Sequence, residues 1–573
     1  MAWWAVSWQA WRAVRAVGIM RTARRADQTW QQWGRAAMWM SDQLPMRWVG
    51  DWIGTWALRE PQRPAVLDAD SGERLSYAAL HARVRRRAGW LLGEGGLRPG
   101  EVVAVLSRNR LEALELGLAC ALAGVVLAPI SHRLPAAAIG ELLARSRPQG
   151  LFVEAEQAGL LAAETVPQGL RWQRRLDGWA PEGEDWQPQR ALALSAPWLL
   201  IHTGGSTGLP KLCRVSLRQM LWNSFELMLL RGGTRSARDL LTFPLYHIGG
   251  WNTVTPILHG GGFLVITRSF DPAQVLGLLG AERINHFGGV EAMFRQLLAQ
   301  PGFTREALAS LESVTSAGAP CQDAVMAAFL ARGVPIVQAY GLTEGGPSNF
   351  INTASGRSLE ALGEQAGNIG TAMPYCDYRI VDRETGQPLA DGATGVLCVR
   401  SPHAFDGYLG DDARTLATVD ADGWVWTGDL AVQVAPGQVR LLGRADNLFI
   451  SGGENVSPEE VERVLCRHPA VAEAGVVGVA DPQWGQRAAA GVVLDAAWLA
   501  GPDGDPAAAA DQIMAWCRTQ LAGYQRPRSI RILERLPLTG AGKPDRPALR
   551  QLLGADADTA LPDTRALASR SQS

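Results

Sequence analysis

The sequence predicts an α/β fold divided into a large N-terminal domain and a small C-terminal one, and three observations carry that expectation. The first is length, since 573 residues exceed the roughly 250–300 at which a single hydrophobic core stops growing. The second is texture: from about residue 52, short β-branched runs alternate with Ala-, Leu- and Arg-rich stretches of helical character. The third is a break after Arg444, where a second series of strand and helix patterns begins.

Taken in order, residues 101–106 read as a buried strand, 111–122 as a helix and 125–130 as another strand. Apolar runs at 198–201, 263–267, 313–316 and 335–338 read as further strands. The first, third and fourth of these stop at loops rich in Gly, Thr or Ser, and α/β sheets bind ligands beyond the carboxyl ends of their strands. After Arg444 a helix is expected over 459–466, strands over 474–479 and 491–495, and a helix over 507–521. Residues 500–506 read as a loop, and the last stretch as a frayed tail. The expected division is therefore an extension (1–51), a large domain (52–444), a small domain (445–553) and a tail (554–573).

Composition excludes several classes. The 55 basic residues face 56 acidic ones for a formal charge of −1, so the electrostatic footprint of a nucleic-acid-binding protein is missing. With 47% hydrophobic residues the chain as a whole is not disordered. Seven cysteines without a CxxC pair suit a reducing, cytoplasmic compartment and offer no zinc cage. The longest apolar run, 116–130, has 15 residues and contains Pro129, short of the ~20 a spanning helix needs.

The extension stands apart. Ten of the 22 tryptophans fall within residues 1–56, beside seven arginines and two aspartates in 1–50. Trp4, Trp8 and Trp11 share a helical face, so residues 1–50 either lie peripherally in a bilayer interface or pack their indoles on the main domain.

The strongest local motif is Thr203-Gly-Gly-Ser-Thr-Gly-Leu-Pro-Lys211, directly after an apolar strand. Its glycines let successive N–H groups converge on an anion, its hydroxyls add donors and Lys211 adds mobile charge. The Walker A pattern needs Gly-Lys-Ser/Thr, whereas here Leu-Pro separates Gly208 from Lys211 and Leu212 follows it. Downstream come Tyr340-Gly-Leu-Thr-Glu344, Trp426-Thr-Gly-Asp429, Gly443-Arg-Ala-Asp446, Ser451-Gly-Gly-Glu-Asn-Val-Ser-Pro-Glu-Glu-Val-Glu462 and Leu536-Pro-Leu-Thr-Gly-Ala-Gly-Lys543. Each alone could be a core tyrosine, a turn aspartate or a helix cap. In this order and at these separations, over about residues 52–553, they resemble the core motifs of the adenylate-forming superfamily of acyl-CoA synthetases, luciferases and peptide-synthetase adenylation domains.

The resemblance implies a large domain of α/β subdomains with a small, mobile α+β C-terminal domain, and an enzyme that uses ATP, Mg²⁺ and coenzyme A. It implies that Thr203, Gly204, Gly205, Ser206, Thr207, Gly208 and Lys211 grip the β- and γ-phosphates. Thr343 would bond the α-phosphate and Glu344 would hold Mg²⁺, which takes a carboxylate beside phosphate oxygens and water. Gly318, Ala319, Pro320, Tyr340 and Gly341 would form the adenine slot, and Asp429 would accept from the ribose hydroxyls with Arg444 beside it. Lys543 would offset charge on the reacting phosphate. The small domain would then turn about Asp446 and bring Gly452 and Gly453 to line a pantetheine tunnel. Three departures are visible: Gly204 replaces a usual hydroxyl, Leu212 a usual glycine, and Pro544 follows Lys543.

Residues 243–252 resemble the acid-pocket motif of the superfamily, with His247 at the channel entry and Trp251, Val290 and Ala339 as walls. No Asp or Glu occurs in 243–255, which disfavours an amino-acid substrate and favours an apolar acid. The first reading is a fatty-acid or related apolar-acid:CoA ligase, which membrane contact would favour; the alternatives are an aromatic acid:CoA ligase or carrier-protein loader, and a non-catalytic acyl or nucleotide binder. Lys211 and Lys543 are the only lysines, against 53 arginines. Both fall where the resemblance calls for a compact, rotatable ammonium rather than a planar guanidinium fork.

Overall fold

A computed structural model describes residues 45–161, 166–167, 169–181, 186–187, 191–203, 210–318, 321–353, 358, 367–502, 504–538 and 544–554. The expectations for residues 1–44 and for the tail from residue 555, and those for Gly204, Gly205, Ser206, Thr207, Gly208, Ala319, Pro320 and Lys543, lie outside the described residues.

The described chain is mixed α/β, with two sheets in its large N-terminal part and one in its small C-terminal part. Five parallel strands, in the order Trp172–Arg175, Gly150–Val153, Val102–Leu106, Val126–Ile130 and Pro197–Thr203, make the first sheet, closed by antiparallel Lys211–Ser216. The near-continuous apolar runs of the four inner strands are what a sheet covered on both faces requires, whereas Trp172–Arg175 is a polar, largely exposed edge. The helix Leu111–Ala123 is buried almost all round, as its largely apolar sequence demands, and its buried Glu115 is paired with Arg87 and Arg83.

The second sheet has thirteen strands among the described residues and changes character midway. Arg238–Leu241, Phe263–Ile266, His286–Gly289, Ser313–Ala317 and Ile336–Leu342 run parallel. From Gly346–Asn352 onward the pairing is antiparallel, through Asn368–Ala372, Gln438–Arg444, Val425–Ala435, Gly395–Arg400 and Asp377–Val381.

The third sheet centres on a long hairpin, Val471–Asp481 with Gly485–Leu494, flanked by Phe449–Ser451, Glu454–Val456 and Ser529–Ile532. Helices Pro458–Leu465 and Pro506–Gln520 bury an apolar face on it, and Arg546–Gly554 buries Leu549 and Leu553.

Three differences from the sequence expectations have plain causes. The strand expected over 491–495 spans Gly485–Leu494: Gln486-Arg-Ala-Ala-Ala490 has helical propensity, but the hairpin partner fixes it as strand, a tertiary override of local preference. Asp495 caps the next helix, accepting from Ala497 N and Trp498 N at 2.9 Å. Residues 46–51 were assigned to the extension on composition. Met46 instead pairs with Leu192, and Val49 is buried in the large core beside Trp52. Among the described residues, no helix is long and apolar enough to cross a membrane.

Candidate active site

Strands Pro197–Thr203 and Lys211–Ser216 form a hairpin whose last paired residues are Thr203 and Lys211. The glycine-rich loop is therefore anchored at both ends. Leu212, a departure at the sequence level, is a core residue of this hairpin, fully buried and paired with His202. It belongs to the strand rather than to the loop.

The Tyr340–Glu344 motif was expected as a loop after a strand. Its first three residues are instead the end of Ile336–Leu342, and the chain reverses at Thr343–Glu344 to pair Leu342 with Gly346. Gly341 is required by close approach, because a Cβ there would lie 2.2 Å from Pro347 O. Thr343 is buried, and its carbonyl accepts from the buried Gln219 Nε2 at 3.0 Å.

This turn carries Glu344 to the Thr203–Lys211 hairpin. Glu344 Oε1 accepts from Tyr408 OH at 2.8 Å and makes a longer contact of 3.5 Å with Thr203 Oγ1. Lys211 Nζ lies 5.2 Å from the centroid of the Tyr408 ring, within cation–π range. Tyr408, absent from the sequence-derived site, is thus in contact with two of its members. The only local sign was the pair Gly407-Tyr408 in an unremarked loop.

A second group forms where the parallel and antiparallel halves of the large sheet meet. Asp429 and Arg444 are cross-strand partners, Arg444 Nη1 reaching Asp429 Oδ1 at 3.2 Å and Thr427 O at 2.8 Å. Tyr340 OH donates to Asp429 Oδ2 at 2.6 Å. Burial, followed by the Asp429 charge, pushes the Tyr340 phenol well above its ordinary range, so it stays a neutral donor. Both carboxylate oxygens of Asp429 are held in fixed directions.

The channel residues divide. Val290 caps the helix Glu291–Leu298, Gly318 follows Ser313–Ala317, and Ala339 pairs with Ala317, so all three sit at the carboxyl ends of adjacent parallel strands. A Cβ on Gly318 would lie 3.7 Å from Val290 Cγ1. His247 is exposed at the start of helix Ile248–His259, its Nδ1 accepting from Gly249 N at 3.0 Å. Trp251 is not a channel wall. It is fully buried, its ring against Gly117 and 4.9 Å from that of Trp198, and its Nε1 donates to Leu245 O. On helix Ile248–His259 its position faces the core.

In the small domain, Gly452 and Gly453 form the two-residue turn between Phe449–Ser451 and Glu454–Val456, both at positive φ, as such hairpin turns require. Gly452 packs on Trp484, where a Cβ would come within 2.4 Å of the indole. Asp446 lies in the short helical turn Ala445–Asn447 and pairs with Arg383 at 3.3 Å. The segments flanking Lys543 meet in a bridge between Leu538 and Pro544.

The chemistry of these groups fits a nucleotide and its metal. One half-buried carboxylate, Glu344, stands beside the glycine-rich hairpin, a donor of the kind that would suit Mg²⁺ bound with a polyphosphate. A fixed carboxylate, Asp429, next to a tyrosine ring suits a ribose and its base.

Two family models match: AMP-binding enzyme over residues 54–409, and AMP-binding enzyme C-terminal domain over residues 460–543. A feruloyl-CoA synthase from an Amycolatopsis species is 33% identical over 502 residues, covering 86% of this chain and 97% of that protein. An indoleacetate–CoA ligase from Aromatoleum aromaticum is 32% identical over 520 residues, covering 88% and 98%. The solved o-succinylbenzoate coenzyme A synthetase from Bacillus subtilis, in complex with ATP and magnesium ion, superposes with a TM-score of 0.76 at 27% identity, covering 88% of this chain and 99% of that one.

Proposed function

The chain belongs to the AMP-binding enzyme family, and from that premise we propose that it is an AMP-forming ligase that joins an aromatic carboxylic acid to coenzyme A. The carboxylate oxygen attacks the α-phosphorus of ATP, a P–O bond forms to give the acyl-adenylate, and pyrophosphate leaves. The coenzyme A sulfur then attacks the acyl carbon, AMP leaves with the bonding electrons, and the thiol proton passes to solvent.

The observation that carries this reading is the pairing of two preformed groups. Glu344 and Lys211 converge at Tyr408 with Thr203 beside Glu344, and Tyr340, Asp429 and Arg444 meet at the sheet junction. The first suits phosphates and the second a nucleoside. Mg²⁺ held at Glu344 would supply charge to draw electron density from the phosphates. Lys211 would meet the β- and γ-phosphates, and Lys543 the developing charge at the α-phosphate. Asp429 would fix the ribose, with its carboxylate oriented in advance by Tyr340 and Arg444.

The aromatic acid is supported by the absence of Asp and Glu from residues 243–255, and by relatives named for feruloyl and indoleacetate substrates. A fatty acid, favoured at the sequence level if residues 1–50 contact a membrane, is the competing substrate. The domains divide near Asp446, where the last strand of the large sheet ends and the Ala445–Asn447 turn leads to the small domain. The small domain turns about this point between the half-reactions.

The test is ATP–pyrophosphate exchange over a panel of arylpropenoic, arylacetic and fatty acids, followed by mass detection of the thioester with coenzyme A. Exchange and thioester with aryl acids are expected. Exchange with fatty acids alone would reassign the substrate, and exchange without thioester would reassign the acceptor to a carrier protein. ATP binding with no exchange for any acid would make the chain a non-catalytic binder.

A further inference from the structure

We propose that Tyr408 is a positioning residue that holds Glu344 and Lys211 through the two faculties of one phenol, its hydroxyl on the carboxylate and its ring face beneath the ammonium. The inference rests on the reading of the site just given and adds to it a residue that lies in none of the sequence motifs.

Lys211 and Glu344 belong to different sheets. Lys211 begins the edge strand of the six-stranded sheet, whereas Glu344 sits in a turn of the thirteen-stranded one. Segment 405–409 is the piece of chain that ties the two together. Its backbone runs beside the edge strand, with Leu409 N donating to Leu212 O at 2.8 Å, Arg214 N to Gly407 O at 2.9 Å, and Cys213 opposite Tyr408. At its other end Phe405 N donates to Glu344 O at 3.0 Å.

Tyr408 repeats that connection with its side chain. The hydroxyl is 2.8 Å from Glu344 Oε1, and the ring centroid is 5.2 Å from Lys211 Nζ. The phenol itself is clamped, being 2% exposed, with its backbone N on Thr415 Oγ1 at 2.9 Å and its ring 5.0 Å from that of Phe405. A buried, fully supported side chain between two half-buried charged groups fixes their directions before a substrate arrives, which is what preorganisation of a polyanion site requires. Only tyrosine does both tasks. Phenylalanine keeps the ring face, and leucine keeps neither.

The scarcity of lysine makes the ring contact directly readable. Reductive methylation of the full-length protein with ¹³C-formaldehyde labels only Lys211, Lys543 and the amino terminus, and Lys211→Arg identifies the first signal. The ring is expected to displace the Lys211 methyl resonance upfield in the nucleotide-free protein. Tyr408→Phe should keep that displacement and Tyr408→Leu should abolish it.

The hydroxyl contact is read by calorimetric titration of ATP in the absence of any acid, at a series of Mg²⁺ concentrations. Tyr408→Phe is expected to raise the Mg²⁺ needed for half-maximal ATP affinity roughly tenfold, about 1.4 kcal/mol, and to leave metal-free ATP binding unchanged. In the Glu344→Gln background the same change should have no further effect. Should Tyr408→Leu fail to fold, the wild-type spectrum and the phenylalanine variant still decide both contacts. An undisplaced Lys211 resonance in the wild type, or a Tyr408→Phe variant with wild-type Mg²⁺ dependence, would overturn the inference alone. Wild-type protein that binds ATP without any Mg²⁺ dependence would overturn the reading of the site, and this inference with it.

Discussion

Tyr340 donates its hydroxyl to Asp429 at 2.6 Å, joining residues 89 positions apart in the chain. The bond crosses the seam of the thirteen-stranded sheet. Tyr340 stands on the last parallel strand, and Asp429 on an antiparallel strand reached through Gly346–Asn352, Asn368–Ala372 and Gln438–Arg444. On the opposite side Arg444 takes the other carboxylate oxygen. The carboxylate proposed for the ribose is therefore held on both oxygens by residues that sheet pairing brings together.

Replacement of Asp429 by Asn keeps the shape of the side chain but removes its charge and one acceptor. ATP affinity, measured by calorimetry without an acid substrate, is expected to fall about tenfold to a hundredfold, the range for losing a charge-assisted hydrogen bond worth about 1.5–3 kcal/mol. Unchanged affinity would remove Asp429 from the nucleotide site.

Glu344→Gln tests the metal end. The amide retains an oxygen for Tyr408 but loses the charge proposed to hold Mg²⁺, so exchange is expected to drop about a hundredfold or more and to require higher Mg²⁺. A variant with the wild-type metal dependence would place Mg²⁺ elsewhere.

Much of this was legible in the sequence, and the residues show why some was not. Thr203, Lys211, Tyr340, Glu344, Asp429 and Arg444 sit in short motifs whose glycines and hydroxyls mark turns, and the structure places them in two groups of contacts, while Thr343 is buried with its carbonyl on Gln219. Tyr408 sits in no such pattern, because its part depends on a loop returning to an edge strand some two hundred residues earlier, a long-range pairing that local spacing does not encode. Trp251 misled for the opposite reason. It lies inside the acid-pocket motif, yet helical periodicity turns its ring to Gly117 and Trp198. Likewise, Leu212 departs from a loop motif but belongs to a strand core.

The histidines set a pH limit on stability. Burial lowers His202 to about 4, with His247 adding to the effect; burial alone lowers His259 to about 3; and burial together with Arg231 lowers His286 to about 4, all from an ordinary 6.5. Each folded-state value lies below the unfolded one, so the unfolded chain binds more protons between them. Stability is then full above about pH 6.5 and falls as pH drops toward about 4, by up to ~1.4 kcal/mol per pH unit for each histidine. Urea midpoints measured from pH 7.5 to 5 should decline, and His259→Gln should flatten the slope. Burial raises Glu115 to about 7 and Asp239 to about 6, which gives an opposing slope, so the deciding comparison is between proteins, and a slope unchanged in His259→Gln would contradict the buried neutral state.

Arg87 provides a stability test away from the site. Its guanidinium is 2.6 Å from Glu115, both side chains are buried, and Arg83 shares the carboxylate at 2.6 Å. Arg87→Met is expected to cost about 3 kcal/mol in chemical denaturation, because it leaves a buried charge only partly compensated. A change below ~0.5 kcal/mol would mean that Arg83 alone satisfies Glu115.

The first step of the proposed reaction joins the acid's own oxygen to the α-phosphorus of ATP. A direct test supplies an active aryl acid labelled with ¹⁸O in its carboxylate, adds coenzyme A, and weighs the products of a single turnover. One ¹⁸O in AMP and unlabelled pyrophosphate are expected. Label in inorganic phosphate with ADP as co-product, or AMP free of label, would contradict it.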